Sequence, residues 1–253
     1  MISPLEILVV SYRSEAYLPA LLRDLSSMSA LPHSVRVFNN NENRLTLTAI
    51  WNDFWRSSSS EYVCLLNPDI ELSPDWDEKL VGCLDSRPEV GITMGNRYLP
   101  REGQPFRRRL NPHRRGQAGL KSYSDLGTKL EGFYAVVIRR SVLESLAGFD
   151  ERFRFYYQDS DLQLRCLEIL GKHTTQVDHC QIGHVGRVST LEAVRRGDLD
   201  VDEEWRHAEW IKGQLKCGSL RPWHALTEEE RRSVREHPAY GRLPRVAASG
   251  PRA

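Results

Sequence analysis

The sequence lacks the cysteine patterns that mark a disulfide framework or a thiolate metal site. Its five cysteines are an odd number and show no CxxC spacing. Small secreted domains pair their cysteines and thiolate zinc sites space them closely, so neither class fits this chain. We therefore expect free thiols and a reducing, cytoplasmic setting; the five positions are Cys64, Cys83, Cys166, Cys180 and Cys217.

Long apolar runs are also missing. The first ten residues, MISPLEILVV, have neither the basic start nor the extended apolar stretch of a signal peptide. No window reaches the roughly 20 apolar residues of a membrane-spanning helix. Any contact with a membrane is therefore expected to be peripheral, through the C-terminal helices.

The chain carries no large excess of charge of either sign. With 35 Lys and Arg against 34 Asp and Glu, the formal net charge is +1, which argues against a protein that binds polyanions with its whole surface. A local basic patch is present in RRRLNPHRR, which begins at Arg107 and ends at Arg115. Three interpretations stay open: a solvated loop, a clamp for a diphosphate or an anionic acceptor, and the lining of a nucleic-acid groove.

What the sequence does have is an alternation of apolar strands and amphipathic helices. Apolar runs at residues 6–10, 35–38 and 62–66 are typical of buried parallel strands. The alternation predicts an α/β fold, with a mostly parallel central sheet flanked by helices. Two capping boxes predict helix starts, and they pair Ser141 with Glu144 and Thr227 with Glu230. We divide the chain into an α/β domain over residues 1–200, a helical C-terminal extension over 201–241 and a flexible tail over 242–253.

Asp69 follows the strand at 62–66, in the turn Asn67-Pro68-Asp69. Hard cations such as Mg²⁺ or Mn²⁺ take oxygen ligands, and one or two carboxylates plus substrate phosphates complete the shell. The alternative is a simple turn, because all three residue types favour turns. His184 lies in a glycine-flanked loop, where its imidazole can bind the same metal or a phosphate, or can be purely structural.

Asp159 and Asp161 lie at the start of a predicted helix, directly after three aromatic residues. A carboxylate that caps a helix has a lowered pKa, whereas burial among aromatic rings raises it and makes a better base. The neighbouring rings are those of Phe155, Tyr156 and Tyr157. We predict that Asp159 faces the site as a base and that Asp161 caps or supports the helix.

Three blocks of the sequence together resemble the inverting family 2 glycosyltransferases of GT-A fold, including their small soluble rhamnosyltransferase-like and polysaccharide-type members. The blocks are ILVVSYRSEAYLPALLRDL, EYVCLLNPDIELSPDW and EGFYAVVIRRSVLESLAGFDERFRFYYQDSDLQLR. The last resembles the family's Gly-Phe-Asp-Glu, its aromatic run, and its Glu-Asp motif followed by Asp-Leu-x-x-Arg. The likeness covers about residues 7–189.

The resemblance implies a role for individual residues. Asp69 takes the metal-binding position of the family's Asp-x-Asp element, Asp159 that of the catalytic base, and His184 with Ser189 that of the late His element. Binding of the nucleotide sugar is implied for Ser11, Tyr12, Glu15, Asn39, Asn52, Asn67 and Asp69. A place on the acceptor side, or in support of it, is implied for Glu131, Phe133, Tyr157, Gln158, Asp161 and Ser189.

Two positions depart from the family pattern. Asn39-Asn40 stands where many relatives have Asp-Asn, so an amide that both donates and accepts replaces a base-reading carboxylate. Gln158 stands where relatives have Glu, which removes a negative charge beside Asp159 and weakens any upward pKa shift that like-charge repulsion would cause. The base itself is retained.

The implied activity is that of a glycosyltransferase of hexosyltransferase type that uses a divalent cation, Mn²⁺ or Mg²⁺. A sugar would pass in a single displacement from a nucleoside-diphosphate sugar to an acceptor hydroxyl, with Asp159 as base. The acceptor can be a glycan, a lipid-linked molecule, a protein or a nucleic acid, and the C-terminal helices are a candidate homodimer surface. The rival hypotheses are a catalytically weakened nucleotide-sugar-binding protein and a transferase that acts on a nucleic acid or another polyanion through its Arg-rich loop.

Overall fold

The structure, a computed structural model, describes residues 5–43, 45–98, 132–186, 188–237 and 240. Three predicted features lie outside the described residues: Glu131, the Arg-rich run and the tail over 242–253. The proposed division into domains therefore stays a prediction. None of the helices in the described part of the chain is long and apolar enough to cross a membrane.

Within the described residues, seven strands form one sheet, in the order β2-β1-β3-β6-β5-β7-β4. Three pairings are parallel (β1 with β2, β1 with β3, β5 with β7) and three are antiparallel (β3 with β6, β5 with β6, β4 with β7). The sheet is thus more mixed than the mostly parallel one predicted, because β6 inserts between β3 and β5 with the opposite direction. The strands are β1 Leu5–Ser11, β2 His33–Asn39, β3 Tyr62–Leu66, β4 Ile70–Leu72, β5 Val90–Tyr98, β6 Ala135–Arg139 and β7 His173–His184.

Helices surround the sheet, which makes the fold the predicted α/β one. They are α1 Leu18–Met28, α2 Leu47–Ser57, α3 Trp76–Ser86, α4 Arg140–Ser145, α5 Gln158–Leu170, α6 Val188–Arg195, α7 Val201–Lys216 and α8 Glu228–Glu236, with a 3₁₀ turn at Trp223–Ala225.

One of the two predicted capping boxes is present. At α8 the Thr227 side chain accepts the Glu230 N–H, and the Glu230 carboxylate accepts the Thr227 N–H. The box predicted at Ser141 is wrong, since the N-cap of α4 is Arg139, two residues before Ser141, and the helix has no side-chain cap. Its Glu144 instead accepts the Arg140 guanidinium at 2.8 Å.

The expected free thiols are confirmed, because all five cysteines are unpaired. Cys64, Cys166 and Cys180 are fully buried in the apolar core. Burial raises the pKa of Cys166 and that of Cys180 to about 12, so these two thiols stay protonated at neutral pH.

A second, smaller apolar cluster joins α7 to the loop that precedes α5. Phe153 from that loop packs with Ala208 and Ile211 of α7. Beside it, the buried Arg154 guanidinium pairs with the buried Glu204 carboxylate at 2.9 Å. The C-terminal helices therefore hold the segment that leads directly to Asp159.

Candidate active site

A cleft of about 160 Å³ opens at the carboxyl ends of β1 and β3. This is where open α/β sheets place their ligands. Its walls combine strand ends, α2, the segment before β6, and α6 with the turn that follows it. Residues that line it include Tyr12, Asn40, Trp51, Asp69, Phe133 and Ser189.

Pairing between β4 and β7 brings Asp69 and His184 together. Ile70 is the partner of His184 in this antiparallel pair, so Asp69 lies next to the end of β7. His184 Nε2 is 3.4 Å from Asp69 Oδ1 and 3.2 Å from the Asn67 amide nitrogen. The imidazole also stacks on the Tyr134 ring, with centroids 5.1 Å apart. The structure thus unites three residues that the sequence predicted for the donor and metal site.

The Asp69 carboxylate is buried but well partnered. Burial opposes its ionisation, yet the contact with His184 and the N–H of Gly186, 2.8 Å from Oδ2, hold its pKa below the ordinary value. Asp69 is therefore an anion at neutral pH.

Among the described residues no cluster of three or more His, Cys, Asp or Glu side chains could hold a metal by itself. Asp69 and His184 nevertheless fit a divalent cation, since a carboxylate oxygen and an imidazole nitrogen face each other across 3.4 Å. The tautomer protonated at Nδ1 leaves the single lone pair on Nε2, the nitrogen nearest to Asp69, and a cation bound there would take that lone pair. Diphosphate oxygens would complete the shell.

Asp159, in the first turn of α5, is held against the segment before β6. Its Oδ2 accepts the Phe133 N–H at 3.1 Å and its Oδ1 accepts the Ser160 N–H at 2.7 Å. Burial raises the pKa of Asp159 above the ordinary value, although these N–H groups pull it down. Phe133 lines the cleft together with Asp69, so the Asp159 carboxylate is hydrogen-bonded to a residue of the cleft wall, although Asp159 is not itself one of the lining residues.

Asp161 forms an ion pair within the protein rather than lining the cleft. Its Oδ2 accepts two N–H groups of the Arg165 guanidinium, at 2.6 and 2.8 Å. The same guanidinium donates to the carbonyls of Leu146 and Gly148, which fixes the end of α4 against α5. This arrangement agrees with the predicted supporting role for Asp161.

Gln158 is buried next to Asp159, and its Oε1 has no hydrogen-bond partner among the described residues. An amide there adds no charge to the neighbourhood of the base. The raised pKa of Asp159 therefore comes from burial and needs no second carboxylate.

Only one of the three aromatic residues before α5 lines the cleft, namely Phe155. Tyr157 instead stacks on Trp205 of α7, with centroids 5.2 Å apart, and its hydroxyl donates to Glu209. Tyr156 packs edge-on against the same indole. Two of the three rings thus contact the C-terminal extension, and the acceptor-side or supporting role of Tyr157 stays a prediction.

The first loop contributes one lining residue. Tyr12 lines the cleft, and its hydroxyl donates to Asp198 Oδ2 at 2.5 Å, which joins the β1 end to the turn after α6. Ser11 is buried, with its hydroxyl 3.0 Å from that of Ser14. Glu15 is exposed and accepts the Asn41 amide, which lowers its pKa. Neither Ser11 nor Glu15 lines the cleft.

Two predicted donor-binding asparagines lie elsewhere. Asn39 is exposed, and it is the next residue, Asn40, that lines the cleft, with its amide bonded to the backbone of Leu45. Asn52 is fully buried in α2, where its amide donates to the Phe149 carbonyl and to Glu151 and accepts two N–H groups. With all its hydrogen-bonding capacity used inside the protein, Asn52 belongs to the scaffold rather than to a donor site.

Sequence reasoning missed Asn40, Asp198 and Arg97 near this site. Successive side chains of a strand point to opposite faces, which was a usable signal that Asn39 and Asn40 could not both face one cleft. No sequence signal marks Asp198, which follows α6, or Arg97, near the end of β5.

Comparisons with known proteins agree on family and fold. Residues 2–147 match the family model described as glycosyl transferase family 2. No curated protein matches the chain. Glucosyl-3-phosphoglycerate synthase from Mycobacterium tuberculosis, in complex with Mg²⁺ and uridine diphosphate, is 15% identical with a TM-score of 0.52, over 77% of this chain and 76% of that one.

Two further structures extend the likeness. S. aureus TarS 1–349 is 12% identical with a TM-score of 0.54, over 90% of this chain and 77% of that one. The mannosyltransferase PcManGT from Pyrobaculum calidifontis, in complex with GDP-Man and Mn²⁺, is 13% identical with a TM-score of 0.52, over 78% of this chain and 61% of that one. At these identities the likeness establishes the fold, which confirms the predicted GT-A architecture.

Proposed function

The chain belongs to glycosyl transferase family 2, and from that premise we propose that it is a metal-dependent, inverting enzyme that moves a sugar from a nucleoside-diphosphate sugar to an acceptor hydroxyl. The observation that carries the proposal is that Asp69 lines the cleft, while Asp159, far away in sequence, accepts the backbone N–H of Phe133, which lines the same cleft. Structural neighbours in complex with UDP or GDP-Man and a divalent cation support the same donor chemistry.

The two ends of the cleft have different tasks. Asp69 and His184 would hold a divalent cation, Mn²⁺ or Mg²⁺, which offsets the charge that grows on the departing nucleoside diphosphate. Tyr12 and Asn40 line the part of the cleft next to the β1 end, where the nucleoside is accommodated. Ser189, on α6, is available to hydrogen-bond the diphosphate from the opposite wall.

Asp159 is the base. The N–H groups of Phe133 and Ser160 orient its carboxylate, and burial raises its pKa, which strengthens its hold on a proton. It takes the proton from the acceptor hydroxyl while that oxygen attacks the anomeric carbon on the face opposite the diphosphate. The new bond forms as the old one breaks, so the configuration inverts.

The test is Asp159→Asn, assayed for nucleoside-diphosphate release from a panel of UDP-, GDP- and dTDP-sugars with Mn²⁺. Loss of a general base lowers turnover by about 10²–10⁴-fold. Stabilisation by the donor, read as a thermal shift, should be kept, because Asp159 does not hold the nucleotide. Asp53→Asn is the matched control, since it removes the same charge from a side chain that is 81% exposed.

Wild-type turnover in Asp159→Asn would refute the role of the base. Full activity after exhaustive chelation would refute the proposal that Asp69 and His184 hold a cation needed for turnover. The rival hypothesis, which Gln158 favours, is a nucleotide-sugar-binding protein with weakened catalysis. It predicts that a donor in the panel stabilises the wild-type protein, although the wild type releases no nucleoside diphosphate.

A further inference from the structure

Arg97 lies near the end of β5, on the same face of the sheet as His184. It pairs with Ile182 of β7, and Ile182 is two residues before His184 along that strand. Paired residues on neighbouring strands share a face, and so do residues two apart on one strand. The Arg97 side chain therefore extends from the sheet on the side where Asp69 and His184 meet.

The Arg97 guanidinium rests against Gly186, which follows β7. A Cβ atom on Gly186 would stand 2.8 Å from Arg97 Nη2 and 3.7 Å from His184 Cε1. Gly186 also has a φ of +81°, a backbone conformation that disfavours any other residue. Because the Gly186 N–H donates to Asp69, this one glycine touches all three side chains.

Both basic side chains here have an unused hydrogen-bonding atom. Arg97 Nε and His184 Nδ1 are buried and without a partner among the described residues. A buried N–H that lacks an acceptor costs free energy, so an arginine with a purely structural role at this place would destabilise the folded protein. An anionic oxygen from a ligand would satisfy it.

We propose that Arg97 binds a phosphate or carboxylate oxygen of a substrate, next to the Asp69 and His184 pair. The inference rests on the proposed function, and it adds a substrate-binding residue to it. Two sources can supply the oxygen: the diphosphate of the donor, or an anionic group on the acceptor. A guanidinium suits both, because its planar donors match the oxygens of phosphate and carboxylate.

The experiment measures binding rather than turnover, by calorimetry on the full chain. Wild type, Arg97→Gln, Arg97→Lys and the control Arg87→Gln are titrated with UDP and GDP in Mn²⁺, and separately with inorganic phosphate, with and without nucleotide. Arg87 precedes the same strand, its side chain is 40% exposed, and it pairs with the exposed Glu89. Its substitution therefore changes the net charge equally, far from the site.

If the donor supplies the anion, Arg97→Gln weakens nucleoside-diphosphate binding about tenfold or more, and Arg97→Lys recovers part of it. If the acceptor supplies it, nucleotide affinity is unchanged and phosphate binding is lost by a similar factor. Unchanged affinity for both probes, or an equal loss in Arg87→Gln, overturns the inference while leaving the proposed function intact. If the wild type binds no nucleotide, the proposed function is refuted. The titration with inorganic phosphate in the absence of nucleotide then tests the role of Arg97 separately.

Thermal unfolding separates this role from a structural one. A guanidinium whose Nε lacks a partner contributes little to folding, so Arg97→Gln should melt no lower than Arg87→Gln. A large drop in the melting temperature of Arg97→Gln, together with unchanged ligand affinity, would identify Arg97 as a packing residue and refute the inference.

Discussion

The ion pair between Arg154 and Glu204 makes the C-terminal extension necessary to the site, and Glu204→Gln tests this. Nε and Nη2 of Arg154 approach the two carboxylate oxygens at 3.1 and 2.9 Å. Both side chains are nearly inaccessible, with exposed fractions of 7% and 2%. Arg154 precedes Phe155, which lines the cleft, so the pair connects α7 to the cleft wall.

The expected loss of stability is large because the pair is buried. Removal of one partner of a buried pair costs about 3–5 kcal/mol, because Arg154 then loses its carboxylate partner in a medium of low dielectric constant. The amide that replaces the carboxylate in Glu204→Gln keeps one acceptor oxygen but turns an N–H group towards the guanidinium. In a chain of this size such a loss lowers the melting temperature by about 6 °C or more.

Differential scanning fluorimetry measures this change, with Glu203→Gln as control. Glu203 is the preceding residue of α7 and is exposed, so its substitution alters the charge equally without touching Arg154. Turnover should fall together with stability in Glu204→Gln, because the segment before Asp159 loosens. The double variant Arg154→Met with Glu204→Leu should melt above Glu204→Gln, since neither charge is then left buried. Equal melting temperatures for Glu204→Gln and Glu203→Gln would refute the reasoning.

Two further predictions concern the proposed base, Asp159, and the buried Asn52. A base must be ionised to act, and burial raises the pKa of Asp159. As the pH decreases, kcat/KM should therefore fall with an apparent pKa above that of an ordinary aspartate, about 3.9. An apparent pKa at or below the ordinary value contradicts this prediction. Asn52→Ala should destabilise the fold by about 2–5 kcal/mol in urea unfolding, because it strips partners from Phe149 and Trp55, while the donor affinity of the folded protein stays unchanged. A loss of donor affinity without a loss of stability would show instead that Asn52 belongs to the donor-binding site.

Features that depend on neighbours in sequence could be predicted well. The strand Tyr62–Leu66 matches its apolar run, and α8 begins at the predicted capping box because Thr227 and Glu230 need only each other. The box at Ser141 did not form, because α4 already begins at Arg140 and Ser141 lies inside its first turn. A local capping pattern therefore predicts a helix start only where the rest of the fold does not start the helix earlier.

Features that depend on distant pairing could not be predicted. The strand β4, Ile70–Leu72, is too short to be recognised from three residues, and it exists because the end of β7 offers it partners. That pairing also decides that His184, more than a hundred residues later, meets Asp69. Likewise, the burial that turns Asn52 into a scaffold residue is a property of the folded loop at Phe149 rather than of α2.

The two carboxylates of the cleft acquire different roles from different surroundings. Asp69 is buried against His184 and a backbone N–H, which hold its pKa down and keep it an anion suited to a cation. Asp159 is half-buried, and among the described residues no basic side chain lies against its carboxylate, so desolvation raises its pKa and favours proton uptake. Pairs of titratable groups pushed in opposite directions are how one site divides electrostatic and proton-transfer work. Gln158 fits this division, because a neutral amide leaves burial alone to set the pKa of the base.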